Sequence, residues 1–107
     1  MADVLIRQFD VFANPERRRS SVEYLVILQS DLAFGTRGIV AAPLDRYSEQ
    51  YRDQRLYPLV RVQDRAFVVV ITEIATLPRK LLKNQVGNLS EHRDRIMLAL
   101  DYLFTGV

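Results

Sequence analysis

The hydrophobic pattern runs in short alternating stretches and changes period near the end of the chain. In "QFDVFAN", Phe9 and Val11 fall on one side and Asp10 and Phe12 on the other, the period of a half-buried strand. "NPERRRSS" is polar and opens with Asn-Pro, which predicts a hairpin loop. "YLVILQ" is β-branched and apolar and predicts a buried strand. "SDLAFGTRG", with two glycines and a Ser-Asp pair, reads as a loop. "IVAAPL" predicts a short strand that stops at Pro43, because proline has no N–H for a central ladder. "DRYSEQYRDQR" reads as a surface segment with interspersed tyrosines. "LYPLVRVQDRAFVVVITEI" predicts two strands around a tight turn at Gln63-Asp64-Arg65. In the second of them Phe67, Val69 and Ile71 share one face while Val68 and Val70 fill the other, so this strand is expected to be central. "ATLPRKLLKNQVG" reads as loop with one edge strand.

The last segment, "NLSEHRDRIMLALDYLFTGV", places Leu89, Ile96, Ala99, Leu100 and Leu103 at helical spacing. Asn88 with Glu91 three residues on resembles a capping box, and Ser90 is the competing N-cap. Glu91 suits the positive end of the helix dipole, and Gly106 suits the left-handed residue that ends a helix. The expectation is a set of short, mostly consecutive strands curled into a small antiparallel barrel, followed by one helix of about four turns. The helix runs into Leu103-Phe104-Thr105-Gly106-Val107, an apolar finish where chain ends usually fray into polar sequence. Such a tail is expected to be buried against something or to be a contact surface.

Composition narrows the function classes. The 107 residues suit a single domain, 1–107, with a real core. The net charge of +2 is too small to imply nucleic-acid binding without a clustered patch. With no cysteine there is no disulfide framework, thiolate nucleophile or Cys-ligated zinc, and a reducing cytoplasm fits. No apolar run approaches the ~20 residues of a membrane span, and the N-terminus lacks the form of a secretory signal. A small cytoplasmic domain is expected.

Candidate chemistry is sparse. His92 is the single histidine, read as a solvated surface residue; alone it makes neither a metal site nor a marked serine triad. Gly35 and Gly38 do not form a phosphate-binding loop, and thirteen acidic residues single out no acid–base pair. Tyr47 and Tyr51 read as packing aromatics rather than a stacking platform. Arg17-Arg18-Arg19 is a charge run: either a solvated hairpin tip or a docking patch for an acidic peptide or nucleic acid, the latter weakened by the lack of interleaved aromatics. No cofactor, metal or catalytic residue is expected.

Three collinear stretches carry a family resemblance: "YLVILQSDL", "LYPLVRVQDRAFVVVITEIATLP" and "NLSEHRDRIMLALDYLF" with the terminal Gly-Val. Gln29-Ser30-Asp31, Leu56-Tyr57-Pro58 and Leu89-Ser90 fall in order within them, and from about Phe9 to Val107 the chain resembles the CcdB-type toxins of bacterial toxin–antitoxin modules. The resemblance implies a mainly β fold with a C-terminal α-helix, an SH3-like antiparallel β-barrel with a small extra sheet. It implies a homodimer that binds the A subunit of DNA gyrase, traps cleaved DNA, and is neutralised by a cognate CcdA-like antitoxin. It implies inhibition by binding rather than an enzyme, with no sequence-specific nucleic-acid binding and no membrane partner. Carried over by position, the gyrase-binding tip comprises Leu32, Ala33, Asp101, Phe104, Thr105, Gly106 and Val107. Arg17, Arg18 and Arg19 are expected at the antitoxin. The family ends in Trp-Gly-Ile where this chain has Thr105-Gly106-Val107, and it usually has Asn where this chain has Asp101. The alternatives are therefore an antitoxin-binding relative that has lost gyrase poisoning and, less favoured, an endoribonuclease of similar barrel.

Overall fold

Strand pairing organises the molecule. A computed structural model describes residues 5–18, 20–33 and 37–106. Its strands are β1 (Asp10–Ala13), β2 (Tyr24–Ile27), β3 (Gly38–Asp45), β4 (Leu59–Val62), β5 (Arg65–Val69), β6 (Ala75–Pro78) and β7 (Gln85–Asn88), followed by α1 (Arg93–Thr105). They form one antiparallel sheet in the order β4-β5-β3-β2-β1-β7, with β6 branching from β3. The sheet curls into a half-barrel with α1 against it, so the chain is mainly β with one C-terminal helix, as expected.

The period of two assigns the faces. Phe9 and Val11, Tyr24 and Val26, Ala42 and Leu44, and Phe67 and Val69 meet in one core cluster, which Ile96 and Ala99 of α1 cover. Phe12, Leu25, Ile27, Ile39 and Ala41 face the other way, into a second cluster with Ile6 and Leu82. β1 is thus buried on both faces, more than its half-buried reading. Val68 and Val70 fill the back of β5 against Tyr51. Leu89, Ile96 and Ala99 are buried and Leu100 packs on the main cluster, but Leu103 is 36% exposed. The curl is clasped by Arg65, whose guanidinium donates to Glu23 Oε1 and Oε2 at 3.2 and 2.7 Å and to the Tyr24 hydroxyl at 3.1 Å.

Several local expectations change. β3 does not stop at Pro43; it runs to Asp45 and is the true centre, pairing with β2, β5 and β6. Pro43 is carried within the ladder: it is in register with Leu25 of β2, and its carbonyl accepts from Val70 N at 2.9 Å just past the end of β5, so the strand forgoes only the bond of the missing N–H. β5 is paired on both sides but lies second from the edge, and it ends at Val69. Ile71 sits in a 3-10 turn and is still fully buried. The β4–β5 turn is two residues, Gln63 and Asp64, both with positive φ (50° and 66°), while Arg65 already pairs with Val62. "ATLPRKLLKNQVG" holds most of two edge strands rather than one.

The helix start also differs. No capping box forms: Asn88 Oδ1 accepts from Ser90 N at 2.8 Å, and Ser90–His92 make a 3-10 turn before α1 begins at Arg93. Gly106 does end the helix in the left-handed region at φ 75°, its N–H donating to Tyr102 O at 2.9 Å.

Candidate functional site

The last turn of α1 keeps most of its side chains out of the core. Phe104 is 75% exposed, and Asp101, Thr105 and Gly106 are exposed with it. Thr105 Oγ1 donates to Asp101 O at 2.7 Å, which holds the hydroxyl against the helix instead of turning it to solvent. Val107, the remaining member of the expected tip, lies outside the described residues.

Leu32 and Ala33 belong to a 3-10 turn at Asp31–Ala33, and Leu32 is 97% exposed. The Gln29-Ser30-Asp31 triplet builds that turn. Gln29 Nε2 donates to Ala33 O at 2.9 Å, Ser30 Oγ accepts from Leu32 N at 3.1 Å, and Asp31 Oδ1 accepts from Gln8 N at 2.7 Å. Gln8 O in turn accepts from Asn88 Nδ2 at 3.3 Å, just ahead of the helix. Within one chain these anchors tie the Leu32 turn to the approach to α1, whereas Asp101, Phe104, Thr105 and Gly106 cluster at its end. A 13-residue helix is about 20 Å long.

Arg17 and Arg18 are exposed on the β1–β2 hairpin loop; Arg19 lies outside the described residues. Arg17 and Arg18 line a groove of about 590 Å³, whose opposite wall is Leu81, Lys83 and Asn84. Asn14 shapes the hairpin: its Nδ2 donates to Val22 O at 2.9 Å and its Oδ1 accepts from Glu16 N at 3.0 Å. The run of arginines pointed to this loop, but the opposing wall is 63 or more residues away in sequence and left no local signal.

Three polar centres have bonding partners that the sequence did not show. Asp10, 3% exposed, accepts from Arg7 N at 2.8 Å, Gln85 Nε2 at 2.9 Å and Asn88 Nδ2 at 3.0 Å. His92 is half-buried rather than solvated. Arg95 Nη2 donates to its Nδ1 and also to Leu59 O at 2.6 Å, and burial first, then the Arg95 charge, lower its pKa. Tyr51 packs in the core, as read, and donates to Asp45 Oδ2 at 2.6 Å; burial and then that bond raise its pKa. Tyr47 is 46% exposed instead.

Each of these groups bonds within the fold: Asp10 to Gln85 and Asn88, Tyr51 to Asp45, and His92 to Arg95. Among the described residues, no three His, Cys, Asp or Glu come together as a metal site, and no helix is long and apolar enough to cross a membrane. What the surface offers is contact: an exposed aromatic tip and a basic groove. Residues 8–106, nearly the whole chain, match the family model described as CcdB protein, and the chain belongs to that family of gyrase-poison toxins of toxin–antitoxin modules.

Proposed function

We propose that this protein is the toxin of a type II toxin–antitoxin module, acting by binding the A subunit of DNA gyrase and stabilising its cleaved-DNA complex. The observation that carries the reading is Phe104, 75% exposed at the end of a helix in a chain of this family. An apolar ring held out on a rigid helix has little entropy left to lose on binding. The contact set is Asp101, Phe104, Thr105, Gly106 and Val107, with Leu32 and Ala33 contributed across a homodimer. A second subunit bridges the two anchors that one chain holds apart. The antitoxin then docks partly at Arg17, Arg18 and Arg19, where charge steers encounter. The mode of action is binding, in the cytoplasm, with no cofactor.

A second reading has its own observation. Thr105 occupies the position of the family's Trp, and its hydroxyl is already bonded to Asp101 O. An interface Trp is often worth about 2 kcal/mol or more, so this chain is a weak gyrase poison or mainly an antitoxin ligand. A supercoiling and cleavage assay on the host's own gyrase separates the two. Accumulated cleaved DNA supports the first reading; antitoxin binding without cleaved DNA supports the second.

A further inference from the structure

Tyr102 lies three residues before Thr105 and four after Leu98, so on α1 these side chains adjoin. Asp101 and Tyr102 stand side by side one turn before Thr105, and Leu98 is 63% exposed. The Arg55 guanidinium lies over the Tyr102 ring, 4.7 Å from its centroid, and its Nη2 donates to the Tyr102 hydroxyl at 3.2 Å. Arg55 reaches there from the turn ahead of β4. Asp53 Oδ1 accepts from Arg55 N and Nε at 3.1 and 3.4 Å, and Asp53 O accepts from Leu56 N and Tyr57 N. The Arg55 cation therefore sits on Tyr102, about one turn before Thr105 on α1.

Asp53 and Tyr102 occupy two of the five guanidinium N–H donors, which leaves three for a partner. A guanidinium seated on a ring has given up much of its rotamer freedom, so further bonds cost it less. Its fork matches a carboxylate. The face of an aromatic ring attracts cations; here that face is taken by the chain's own cation, itself paired with Asp53 at 3.4 Å, so the ring is closed to a partner's cation and the remaining guanidinium donors are what it presents instead.

We infer that Arg55, held on Tyr102, is a specificity-determining contact of the target-binding tip, and that it recognises a carboxylate on the gyrase surface it meets. The inference rests on the gyrase-binding reading above. It assigns to this chain a recognition chemistry that suits a target with an acidic residue beside the Thr105 position.

The test measures binding of the unmodified dimer, Arg55→Glu, Arg55→Lys, Tyr102→Leu and Phe104→Ala to the host gyrase A subunit at two salt concentrations, with melting temperature beside each. Arg55→Glu is expected to weaken binding by about ten-fold or more and to flatten its salt dependence while the melting temperature holds. Arg55→Lys, which keeps the charge but not the fork, is expected to lose less, and Tyr102→Leu to fall between. Arg55→Glu binding like the unmodified chain, with Phe104→Ala impaired, overturns this inference and leaves the gyrase reading standing. A loss that follows the melting temperature overturns it too, because Arg55 then only staples a turn to the helix. No binding by the unmodified chain overturns both.

Discussion

Asp10 shows how one carboxylate fixes a backbone that propensity alone would not choose. Phe9 has φ 70°, a conformation that bulky residues rarely adopt, yet it is 3% exposed and its O accepts from Leu89 N at 2.8 Å. Arg7 N on Asp10 Oδ2 closes the turn around Phe9, and Gln85 and Asn88 tie β7 to the same side chain. Asp10→Ala is expected to cost about 2–4 kcal/mol, read by chemical denaturation, since it leaves several donors unpaired next to a strained residue. His92 sets a pH dependence. Its folded pKa lies below the usual 6.5, so the unfolded chain takes up the proton first as pH falls. This stabilisation is complete above about pH 6.5 and drains away as pH falls below it. The melting temperature should drop between pH 7.5 and 5.5, and His92→Gln should flatten that part of the curve. Glu23 acts in a lower window: the Arg65 bond holds its pKa below 4.5, so its contribution persists at pH 5.5 and fades only in stronger acid. Thr105→Trp should strengthen binding to a gyrase of the kind the family attacks, by roughly ten-fold if about 1.4 kcal/mol is recovered. Gyrase affinity unchanged in an intact dimer would mean the tip is not placed as proposed.

At the scale of elements, β3 decides the sheet. Its first half pairs with β6 and its last two residues with β5, so the sheet forks instead of continuing flat. The fork depends on close approach at Gly38, where a Cβ would run into Thr76 Cγ2. Gly38→Val should therefore push β6 away and expose Leu77, which packs on the second core cluster. Faster amide exchange in 75–78 than in β1 and β2 would show it, with a loss of about 1–3 kcal/mol in stability. The helix is set differently. Its buried contact is narrow, Ile96 and Ala99 with Leu100 and Met97 at the margin, and the final turn is mostly exposed. A helix placed this way trades part of its packing for an exposed end, and that end is the proposed contact surface.

For the whole molecule, Leu98 of α1 is a large exposed apolar side chain, 63% open, besides the Phe104 assigned to the target. Self-association through the same patch on two copies is the expected cover. Sedimentation at micromolar concentration should show one species near twice 12.4 kDa, and Leu98→Asp should shift it toward monomer. A single species at 12.4 kDa from the unmodified chain would remove the dimer, and with it the route that brings Leu32 and Ala33 to the tip.

The strands whose side chains alternate toward two apolar clusters were legible because burial acts on every second residue and leaves its mark in order along the chain. So were the helix, from its period, and its end at Gly106, from the backbone that glycine alone adopts freely. The family was legible from collinear stretches. Tertiary structure decided what depends on distant partners. Pro43 is tolerated because its carbonyl still accepts from Val70 N, 27 residues on, where β3 changes partner from β6 to β5. Asp10 is buried because Gln85 and Asn88 come to it from 75 and 78 residues away. His92 has its pKa lowered by burial first and then by an arginine that also grips β4. Arg55 meets Tyr102 across 47 residues, and nothing in either local sequence announces the pair. Periodicity records which side of an element is buried; it carries no record of which polar groups meet there, since that is fixed only once the sheet has curled.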